Sequence, residues 1–306
     1  MLRSVILAAS RSPRVERLVQ TAPVTRDVVN RFVAGSTAAD ALRVSEELTG
    51  DGLAVSLDHL GEDTTTPAHA EENRAEYIRL LSALAAAGLT PAVEVSVKLS
   101  ALGQRFDEKT AYAHARSICE AARNAGTTVT LDAEDHATTD STLDILTRLR
   151  ADFPDTGAVL QAYLRRTEGD CRELAGPGSR VRLCKGAYRE PESVAYQARL
   201  DVDKSYVRCL NILMSGEGYP MLATHDPRLV AIAEDRAKWF DRGNDTFEFQ
   251  MLYGVRPDEQ RRLVDAGYTM RVYVPYGTQW YGYLMRRLAE RPANVAFFAR
   301  ALRSRG

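Results

Sequence analysis

Short runs of β-branched and aromatic residues recur along the chain, and segments with helical periodicity separate them. Two or three short helices are predicted within residues 15–50, followed by a regular series of strands. The predicted strands cover residues 53–60, 93–100, 127–134, 157–164, 180–186, 220–226, 246–252 and 268–275. Their starts lie about 31 residues apart on average, which is the size of one strand followed by one helix.

Helix boundary signals support this alternation. Asp107 precedes the helical pattern "DEKTAYAHARSICEAARNAG" as a typical N-cap residue. Asp226 caps a second helix whose first residue is Pro227, and Pro257 starts a third that is predicted to end by Gly267. These caps indicate that the segments between the predicted strands are helices.

Eight strands that alternate with helices predict an α/β fold, a (β/α)8 barrel of the TIM type. We expect a single domain over residues 1–306, with N-terminal helices in 1–50 and the barrel with a C-terminal helix in 51–306. A doubly wound open sheet is the rival fold. It would carry a glycine-rich nucleotide turn after its first strand, and "SLDHLGED" is not such a turn.

Composition and charge narrow the class of protein. The 306 residues are 45% hydrophobic and 26% charged, which is typical of soluble globular proteins. A net charge of −1 gives no general attraction to nucleic acid, and no apolar run approaches the roughly 20 residues that span a bilayer. Four cysteines without CxxC spacing predict free thiols in a reducing compartment.

Polar side chains end every predicted strand. In (β/α)8 barrels the active site forms at the carboxyl ends of the strands. For any one position, a structural ion pair or a helix cap explains the residue equally well, but polar residues at all eight ends favour a site in the barrel mouth. These residues are Asp58, His59, Lys98, Asp132, Glu134, Asp135, His136, Gln161, Arg182, Lys185, Thr224, His225, Asp226, Glu248, Gln250, Arg271, Tyr273 and Tyr276.

Three kinds of chemistry are compatible with this set. The segment "LDAEDH" resembles a metal cluster, but no HxH or HExxH motif accompanies it, and we expect no metal site. Lys98 or Lys185 could form a Schiff base with a carbonyl substrate. Both lysines could equally serve as charges that bind an anion.

The last predicted helix, "YGYLMRRLAE" (281–290), separates its residues into two faces. Tyr281 and the residues three, four and seven positions later predict a stripe that faces the core. The opposite face is predicted to carry Tyr283, Arg286, Arg287 and Glu290. Taken alone, this face is either a solvated surface or a site for an anion.

Eight motifs together resemble one family, the proline dehydrogenases. They are "VSVKLSALG", "LDAEDH", "VLQAY", "VRLCKGAY", "ATHD", "EFQMLYG", "RVYVPYG" and "YLMRRLAERPAN", and they extend from about residue 53 to 298. The resemblance implies a flavoenzyme with FAD in a (β/α)8 barrel whose last helix lies over the mouth. It also implies the monofunctional bacterial type, without an aldehyde dehydrogenase on the same chain.

The resemblance assigns roles to the polar strand ends. Arg286 and Arg287 would hold the carboxylate of L-proline, with Lys98 as a further cation. Tyr273, Leu252 and Tyr283 would contact the pyrrolidine ring. Asp132 would fix the cations, and Arg182 would stabilise negative charge on the reduced flavin, which makes these two the expected catalytic residues. The residues expected to contact FAD are Ala133, Gln161, Arg182, Lys185, Gly186, Ala187, Thr224, His225, Gln250, Glu290 and Asn294.

The reaction implied is the oxidation of L-proline to Δ1-pyrroline-5-carboxylate, the first step of proline degradation to glutamate. A hydride would pass from C5 of proline to N5 of the flavin, and a quinone would accept the electrons. The resemblance further implies a cytoplasmic protein with peripheral contact at the inner face of the cell membrane and no transmembrane segment. A lyase or aldolase with a Schiff-base lysine is the alternative function.

Overall fold

The structure is a computed structural model that describes residues 29–61 and 64–290, and of residues 286–290 it describes only the backbone. After a helical turn at residues 29–32, helices and strands alternate along the described chain. In chain order they are α1 Ala38–Gly50, β1 Ala54–His59, α2 Pro67–Ala86, β2 Val93–Val97, α3 Glu108–Asn124, β3 Val129–Leu131, α4 Thr139–Arg150, β4 Ala158–Gln161, α5 Thr167–Leu174, β5 Arg180–Cys184, α6 Arg199–Ser215, β6 Tyr219–Ala223, α7 Pro227–Trp239, β7 Glu248–Leu252, α8 Pro257–Asp265, β8 Thr269–Tyr276 and α9 Trp280–Glu290.

The strands form a closed parallel barrel. Among the described residues, eight strands pair in the order β3-β2-β1-β8-β7-β6-β5-β4, and β3 meets β4 through a bridge between Thr130 and Gly157. Leu131 N donates to Gly157 O at 2.9 Å. A Cβ atom on Gly157 would lie 2.6 Å from Thr130 Oγ1, so the closure requires a residue without a side chain there. The predicted (β/α)8 barrel is confirmed.

Most of the hydrophobic core lies between the barrel and its helices. On β2, Val93, Val95 and Val97 are fully buried in this core. The alternate residue Glu94 makes its contacts with arginines of β5 and β8 across the barrel interior, because successive side chains of a strand point to opposite faces. The interior of this barrel is therefore lined by charged and polar groups, rather than by layers of branched aliphatic residues.

Helix starts follow the predicted caps, whereas several strands end earlier than predicted. The Asp107 side chain accepts from Lys109 N at the start of α3, and Asp226 accepts from Arg228 N at the start of α7. The strands predicted over residues 93–100 and 157–164 end at Val97 and Gln161. The third strand was predicted over residues 127–134, but β3 covers only Val129–Leu131. Asp132 N still donates to Val97 O at 2.8 Å, and beyond it the Glu134 side chain accepts from Ser100 N in the loop after β2.

Residues 29–35 pack against the last helix. Val29, Phe32 and Val33 form one buried cluster with the apolar side chains of α9, and Ala34 N donates to Pro275 O at 2.9 Å. Gly254 has φ +71°, and a Cβ atom there would lie 1.8 Å from Arg31 O. This segment therefore holds α9 beside the ends of β7 and β8. The helices predicted before residue 29 lie outside the described residues.

The cysteines form no disulfide bond among the described residues, as the spacing of the four cysteines predicts. All four cysteines are free, and three of them are buried. Within residues 29–61 and 64–290, no helix combines the length and the apolar character needed to cross a membrane.

Candidate active site

Five side chains from three strands and two loops meet inside the mouth of the barrel. We call them the mouth cluster: Asp58, Lys98, Asp132, Arg182 and Tyr273. Asp58, Arg182 and Tyr273 lie on β1, β5 and β8, whereas Lys98 and Asp132 directly follow β2 and β3. These side chains point into the barrel because each lies two residues after another inward-facing position, and side chains along a strand alternate between its two faces.

Lys98 lies between two carboxylates. Its Nζ is 2.7 Å from Asp58 Oδ2 and 3.2 Å from Asp132 Oδ2. The same nitrogen donates to Tyr273 OH at 3.2 Å. The Lys98 side chain is only 10% exposed, so the ammonium is held in a nearly enclosed polar site, where ion pairs are less screened than at the surface.

Arg182 is held from several sides of the barrel. Its Nη1 donates to Asp132 Oδ1 at 2.7 Å and to Ser96 Oγ at 2.8 Å, and its Nη2 donates to Ser56 Oγ at 3.2 Å. The Nε group donates to Gln250 Oε1 at 2.5 Å. The ring of Tyr273 lies 5.3 Å from the guanidinium carbon, within the range of a cation–π contact.

Asp132 is the anion that both cations share. Burial would raise the pKa of this carboxyl, but Lys98 and Arg182 outweigh burial and hold the pKa below its usual value. Tyr273 OH donates to Asp132 Oδ2 at 2.7 Å. Burial, together with Asp132, raises the pKa of the Tyr273 phenol well above its usual value, so the phenol keeps the proton that it donates.

The charges of the mouth cluster cancel. Asp58 and Asp132 carry two negative charges, and Lys98 and Arg182 carry two positive charges. A substrate carboxylate entering this cluster would therefore meet no net positive charge from these four residues. Binding such an anion requires a further cation at the mouth.

A second ionic group lies deeper in the barrel, which we call the floor cluster: Glu94, Arg180, Glu248 and Arg271. Glu94 lies 2.5 Å from Arg180 and 3.9 Å from Arg271, and Arg271 Nε lies 2.8 Å from Glu248. Arg271 also donates to the carbonyl oxygens of Val55 and Ala92. Although burial acts in the opposite direction, the arginines hold the pKa of Glu94 well below its usual value.

The rim over β4 to β7 contains the residues predicted to bind a cofactor. Gln161 Nε2 donates to Glu134 O at 2.8 Å, and Thr224 Oγ1 accepts from Asp226 N at 3.1 Å. His225 Nε2 accepts from Leu252 N at 2.9 Å, which fixes this ring nitrogen as the unprotonated one. Each of these polar residues is thus positioned by a backbone contact at a strand end.

Lys185 stands at the open side of this rim. Its Nζ lies 2.5 Å from Asp203 and 3.1 Å from Asp226, and its side chain is 28% exposed. Arg228 binds the same two aspartates at 2.9 and 2.8 Å. The rim therefore carries two cations on two carboxylates, and Lys185 is more accessible to a ligand than Lys98.

Small residues leave space beside Lys185. Gly186 has φ +103°, and a Cβ atom there would lie 2.3 Å from the Tyr163 ring, so only glycine fits this turn. Ala187 is exposed, and Ala133 on the neighbouring loop is partly exposed. These positions give a ligand access to the backbone of the loops after β3 and β5.

The acidic segment after β3 does not converge on one point. Glu134 accepts from Ser100 N at 3.0 Å, Asp135 pairs with Arg105, and His136 Nδ1 contacts Glu190. Within the described part of the chain, no group of three or more His, Cys, Asp or Glu side chains is arranged to hold a metal ion. The polar side chains of this segment instead tie together the loops around the mouth.

The last helix begins as predicted but buries one residue that was assigned to its polar face. Tyr281, Leu284 and Met285 are buried, as the stripe requires, and Tyr283 is also only 6% exposed. Tyr283 belongs to one buried cluster with Val29, Phe32 and Val33, so this position is not part of a solvated surface, and its expected contact with the substrate stays a prediction. Arg286, Arg287 and Glu290 belong to α9, but their side chains lie outside the described residues, as does Asn294 altogether.

Several supporting residues were not singled out from the sequence. Ser56 and Ser96 contact Arg182, and Glu94 lies 3.7 Å from Arg182. The signal was present, since "VEVSVK" alternates apolar and polar residues and places Glu94, Ser96 and Lys98 on one face of β2.

Comparison with known proteins gives one consistent result. Residues 41–300 match the family described as Proline dehydrogenase. The proline dehydrogenase of Deinococcus radiodurans is 39% identical over 307 residues, covering 99% of this chain and 98% of the relative. Proline dehydrogenase 1 of Bacillus subtilis is 36% identical and covers 99% of both chains.

Two solved structures with the same fold belong to larger proteins. Proline utilization A (PutA) from Bdellovibrio bacteriovorus, inactivated by N-propargylglycine, matches with a TM-score of 0.81 and 27% identity over 86% of this chain. PutA from Bradyrhizobium japonicum, in a D778Y variant, matches with a TM-score of 0.74 and 27% identity over 92% of this chain. The chain spans 32% of each of these PutA chains.

Proposed function

The chain belongs to the proline dehydrogenase family, and on that premise we propose that it oxidises L-proline to Δ1-pyrroline-5-carboxylate with FAD as its cofactor. The observation that carries this proposal is the mouth cluster, in which Asp132 links Lys98 to Arg182. A buried, hydrogen-bonded set of charges at the carboxyl ends of barrel strands is the usual setting for catalysis in this fold.

The substrate carboxylate is proposed to bind the arginines of α9. Because the four charges of the mouth cluster cancel, the cation for this carboxylate must come from another element. Arg286 and Arg287 are consecutive residues of α9, whose first half packs against Leu60 at the end of β1. A guanidinium suits this role because its planar fork can bind both carboxylate oxygens. Lys98 would add a further positive charge.

The rest of the substrate would meet groups with matching chemistry. Tyr273 and Leu252 are both partly exposed at the ends of β8 and β7, and together with Tyr283 they offer apolar surface to a pyrrolidine ring. Proline must react as the neutral amine, because the nitrogen lone pair assists departure of the hydride from C5. The cations around the carboxylate favour that neutral form by repelling a positive charge on nitrogen.

The donor set of the rim fits a flavin nucleotide. Lys185 is an accessible cation for a phosphate group, and Ala133, Gly186 and Ala187 leave backbone groups open beside it. Gln161, Thr224, His225 and Gln250 supply amide, hydroxyl and imidazole groups at the ends of β4, β6 and β7, with Glu290 and Asn294 proposed as further contacts from the C-terminal region. When bound, FAD supplies the acceptor for the hydride at its N5 atom.

Arg182 and Asp132 are the proposed catalytic residues. Arg182 is a buried cation whose charge would stabilise the negative charge that develops on a reduced flavin, and such preorganised electrostatic contacts are often the largest catalytic contribution. Asp132 would fix the positions of Arg182 and Lys98 relative to each other. The protein thus orients the substrate and the cofactor and provides the electrostatic field around them, while the redox chemistry belongs to the cofactor.

The remaining parts of the proposal rest on the family resemblance. A quinone is the proposed electron acceptor, reached by peripheral contact with the inner face of the cell membrane. The reaction is proposed as the first step of proline degradation to glutamate.

A lyase with a Schiff-base lysine is less compatible with the geometry. Such a nucleophile needs a neutral amine that is free to attack the substrate. The Nζ atoms of Lys98 and Lys185 each lie within salt-bridge distance of two carboxylates. Both lysines are therefore arranged as structural or anion-binding charges.

One experiment tests the proposed function directly. The purified protein should show the visible absorption of an oxidised flavin, and L-proline added without oxygen should bleach it. D-proline serves as the control for nonspecific reduction. A protein that binds no flavin, or whose bound flavin keeps its colour in excess L-proline, would contradict the proposal. Trapping of a covalent substrate adduct by borohydride would instead support the lyase.

A further inference from the structure

A continuous line of hydrogen bonds joins the floor cluster to Arg182. Arg271 Nε donates to Glu248 Oε1 at 2.8 Å, and Gln250 Nε2 donates to the same carboxylate oxygen. Gln250 Oε1 in turn accepts from Arg182 Nε at 2.5 Å. All four side chains are buried. Glu248 and Gln250 share the inward face of β7 because they are two residues apart.

Glu248 determines which end of the Gln250 amide faces Arg182. A carboxylate can only accept hydrogen bonds and a guanidinium can only donate them, whereas an amide has one end of each kind. The NH2 end of Gln250 must therefore turn to Glu248, and its carbonyl must turn to Arg182. The reversed amide would set oxygen against oxygen and N–H against N–H, which is costly for buried groups.

This amide supplies the contact to the Nε atom of Arg182. The other hydrogen bonds of the guanidinium to described residues use its terminal nitrogens, toward Asp132, Ser96 and Ser56. A hydrogen bond to Nε, added to bonds at both terminal nitrogens, fixes the plane of the group as well as its position. Without it, the guanidinium keeps its charge but gains freedom to tilt.

We propose that Glu248 is a positioning residue for the reaction: it orients the Gln250 amide, and that amide holds Arg182 in the orientation used during hydride transfer. This inference rests on the proposed function, in which Arg182 is catalytic. In this way a residue of the floor cluster takes part in the reaction at the mouth.

A purely structural role for Glu248 makes different predictions. Glu248 also balances the charge of Arg271, and its Oε2 accepts from Tyr219 OH at 3.4 Å. If it acted only through charge, removing the anion would make the site more positive and favour the reduced, more negative form of a bound flavin. The effect on turnover would then be neutral or favourable, which is opposite to the effect of a misplaced Arg182.

The test uses three single variants of the flavin-loaded protein. Glu248→Gln and Gln250→Met should each lower kcat for proline about tenfold, with KM within about twofold, because the substrate carboxylate is held elsewhere. Tyr219→Phe is the matched control, since it removes a contact to the other oxygen of the same carboxylate, and it should leave kcat unchanged. The double variant Glu248→Gln/Gln250→Met should be no slower than the slower single variant, because both act through one contact.

Two further measurements separate positioning from stability. Gln250→Met changes no formal charge. It should lower the equilibrium constant for reduction of the bound flavin about tenfold, which lowers the two-electron reduction potential by about 30 mV. The thermal midpoint of the flavin-loaded protein should fall more in Glu248→Gln than in Gln250→Met, because only the former leaves Arg271 short of a buried anion.

The outcomes distinguish this inference from the proposed function. If the unaltered protein is not bleached by proline, both fail together. If the unaltered protein is active and Glu248→Gln equals or exceeds its kcat, or if the two substitutions combine additively, only the positioning role is overturned. Should Glu248→Gln fail to fold, Gln250→Met decides alone, and an unaltered kcat and flavin potential in that variant would overturn the inference.

Discussion

The mouth cluster and the floor cluster occupy the same barrel, and each contains two anions and two cations. At the mouth, the ion pairs meet at one carboxylate, Asp132, and the partly exposed Tyr273 and Leu252 lie beside them. On the floor, Arg180 and Arg271 also bind backbone carbonyl oxygens, from Asp155, Val55 and Ala92. Arg180 and Arg271 of the floor therefore tie strands together, whereas the mouth charges are proposed to face a ligand.

The difference shows how one fold uses buried charge in two ways. Burying a charge is costly unless it is paired, so both clusters must be closed networks. The arginines of the floor network bind carboxylates and backbone carbonyl oxygens of the protein. The mouth network is neutral by itself, and a ligand with a negative charge can bind only when another element contributes a cation.

The largest expected effect is at that added cation. Arg286→Met and Arg287→Met should each lower kcat/KM for proline by an amount corresponding to about 2–5 kcal/mol, because the substrate carboxylate loses its charged partner. Steady-state kinetics on flavin-loaded protein measures this effect. Flavin content and the thermal midpoint serve as controls, and a near-normal kcat/KM in both variants would remove these arginines from the site.

Substitution of Arg180 on the floor should show the opposite profile. Arg180→Met removes the partner that lies 2.5 Å from Glu94, and breaking a buried pair from one side costs about 3–5 kcal/mol of folding free energy. Urea unfolding measures that loss. The kcat/KM of the remaining folded, flavin-loaded protein should stay within about threefold of normal. A variant with normal stability but no activity would erase the distinction between the two clusters.

Acid should weaken both clusters. The pKa values of Asp132 and Glu94 are held below their usual values of 3.8 and 4.5, so their contribution to stability is complete well above these values. It is lost as the pH falls below about 4.5 and toward the lower pKa of each folded carboxyl.

The contribution of the floor carboxylate can be isolated from that of the mouth. In Glu94→Gln, the free energy of unfolding should be lower at neutral pH and should fall less steeply between about pH 5 and pH 3. Urea titrations at several pH values measure the slope. An unchanged slope would show that Glu94 does not contribute to the acid sensitivity.

The smallest predicted effect concerns the support of α9. Gly254→Ala should destabilise the protein by more than Gly88→Ala, although both glycines have φ near +70° and carry the same backbone cost of about 1–2 kcal/mol. A Cβ atom at Gly254 would meet Arg31 O, whereas nothing lies within 4 Å of the corresponding atom at Gly88. Chemical denaturation compares the two variants, and the proline KM of Gly254→Ala should also rise. Equal losses would argue against the bracing of α9 by residues 29–35.

Much of the fold could be predicted from local signals. The eight strands follow from their apolar, β-branched residues, and the starts of α3 and α7 follow from Asp107 and Asp226. The early end of β3 agrees with the residues after Leu131, since Asp, Ala and Glu are uncommon in strands. The partners of their side chains could not be predicted, because they are distant in sequence. The packing of residues 29–33 on α9 depends on contacts across more than 240 residues, for which the local sequence holds no signal.

The candidate site was only partly predictable for the same reason. The positions of Lys98, Asp132 and Arg182 at strand ends indicated a shared site, but their mutual contacts depend on the closure of the barrel. The line from Arg271 through Glu248 and Gln250 was not anticipated. The alternating pattern of "EFQML" gave the inward face of β7, yet not the partners that this face would meet.

Asp132 offers the most direct test of the division between mouth and floor, since it is the carboxylate that joins both cations of the mouth. Rapid anaerobic mixing of Asp132→Asn with L-proline would measure the rate of flavin bleaching in a single turnover. We predict a rate at least a hundredfold below normal, or roughly 2.7 kcal/mol, in a protein that still folds and holds its flavin. Bleaching at close to the normal rate would contradict the account.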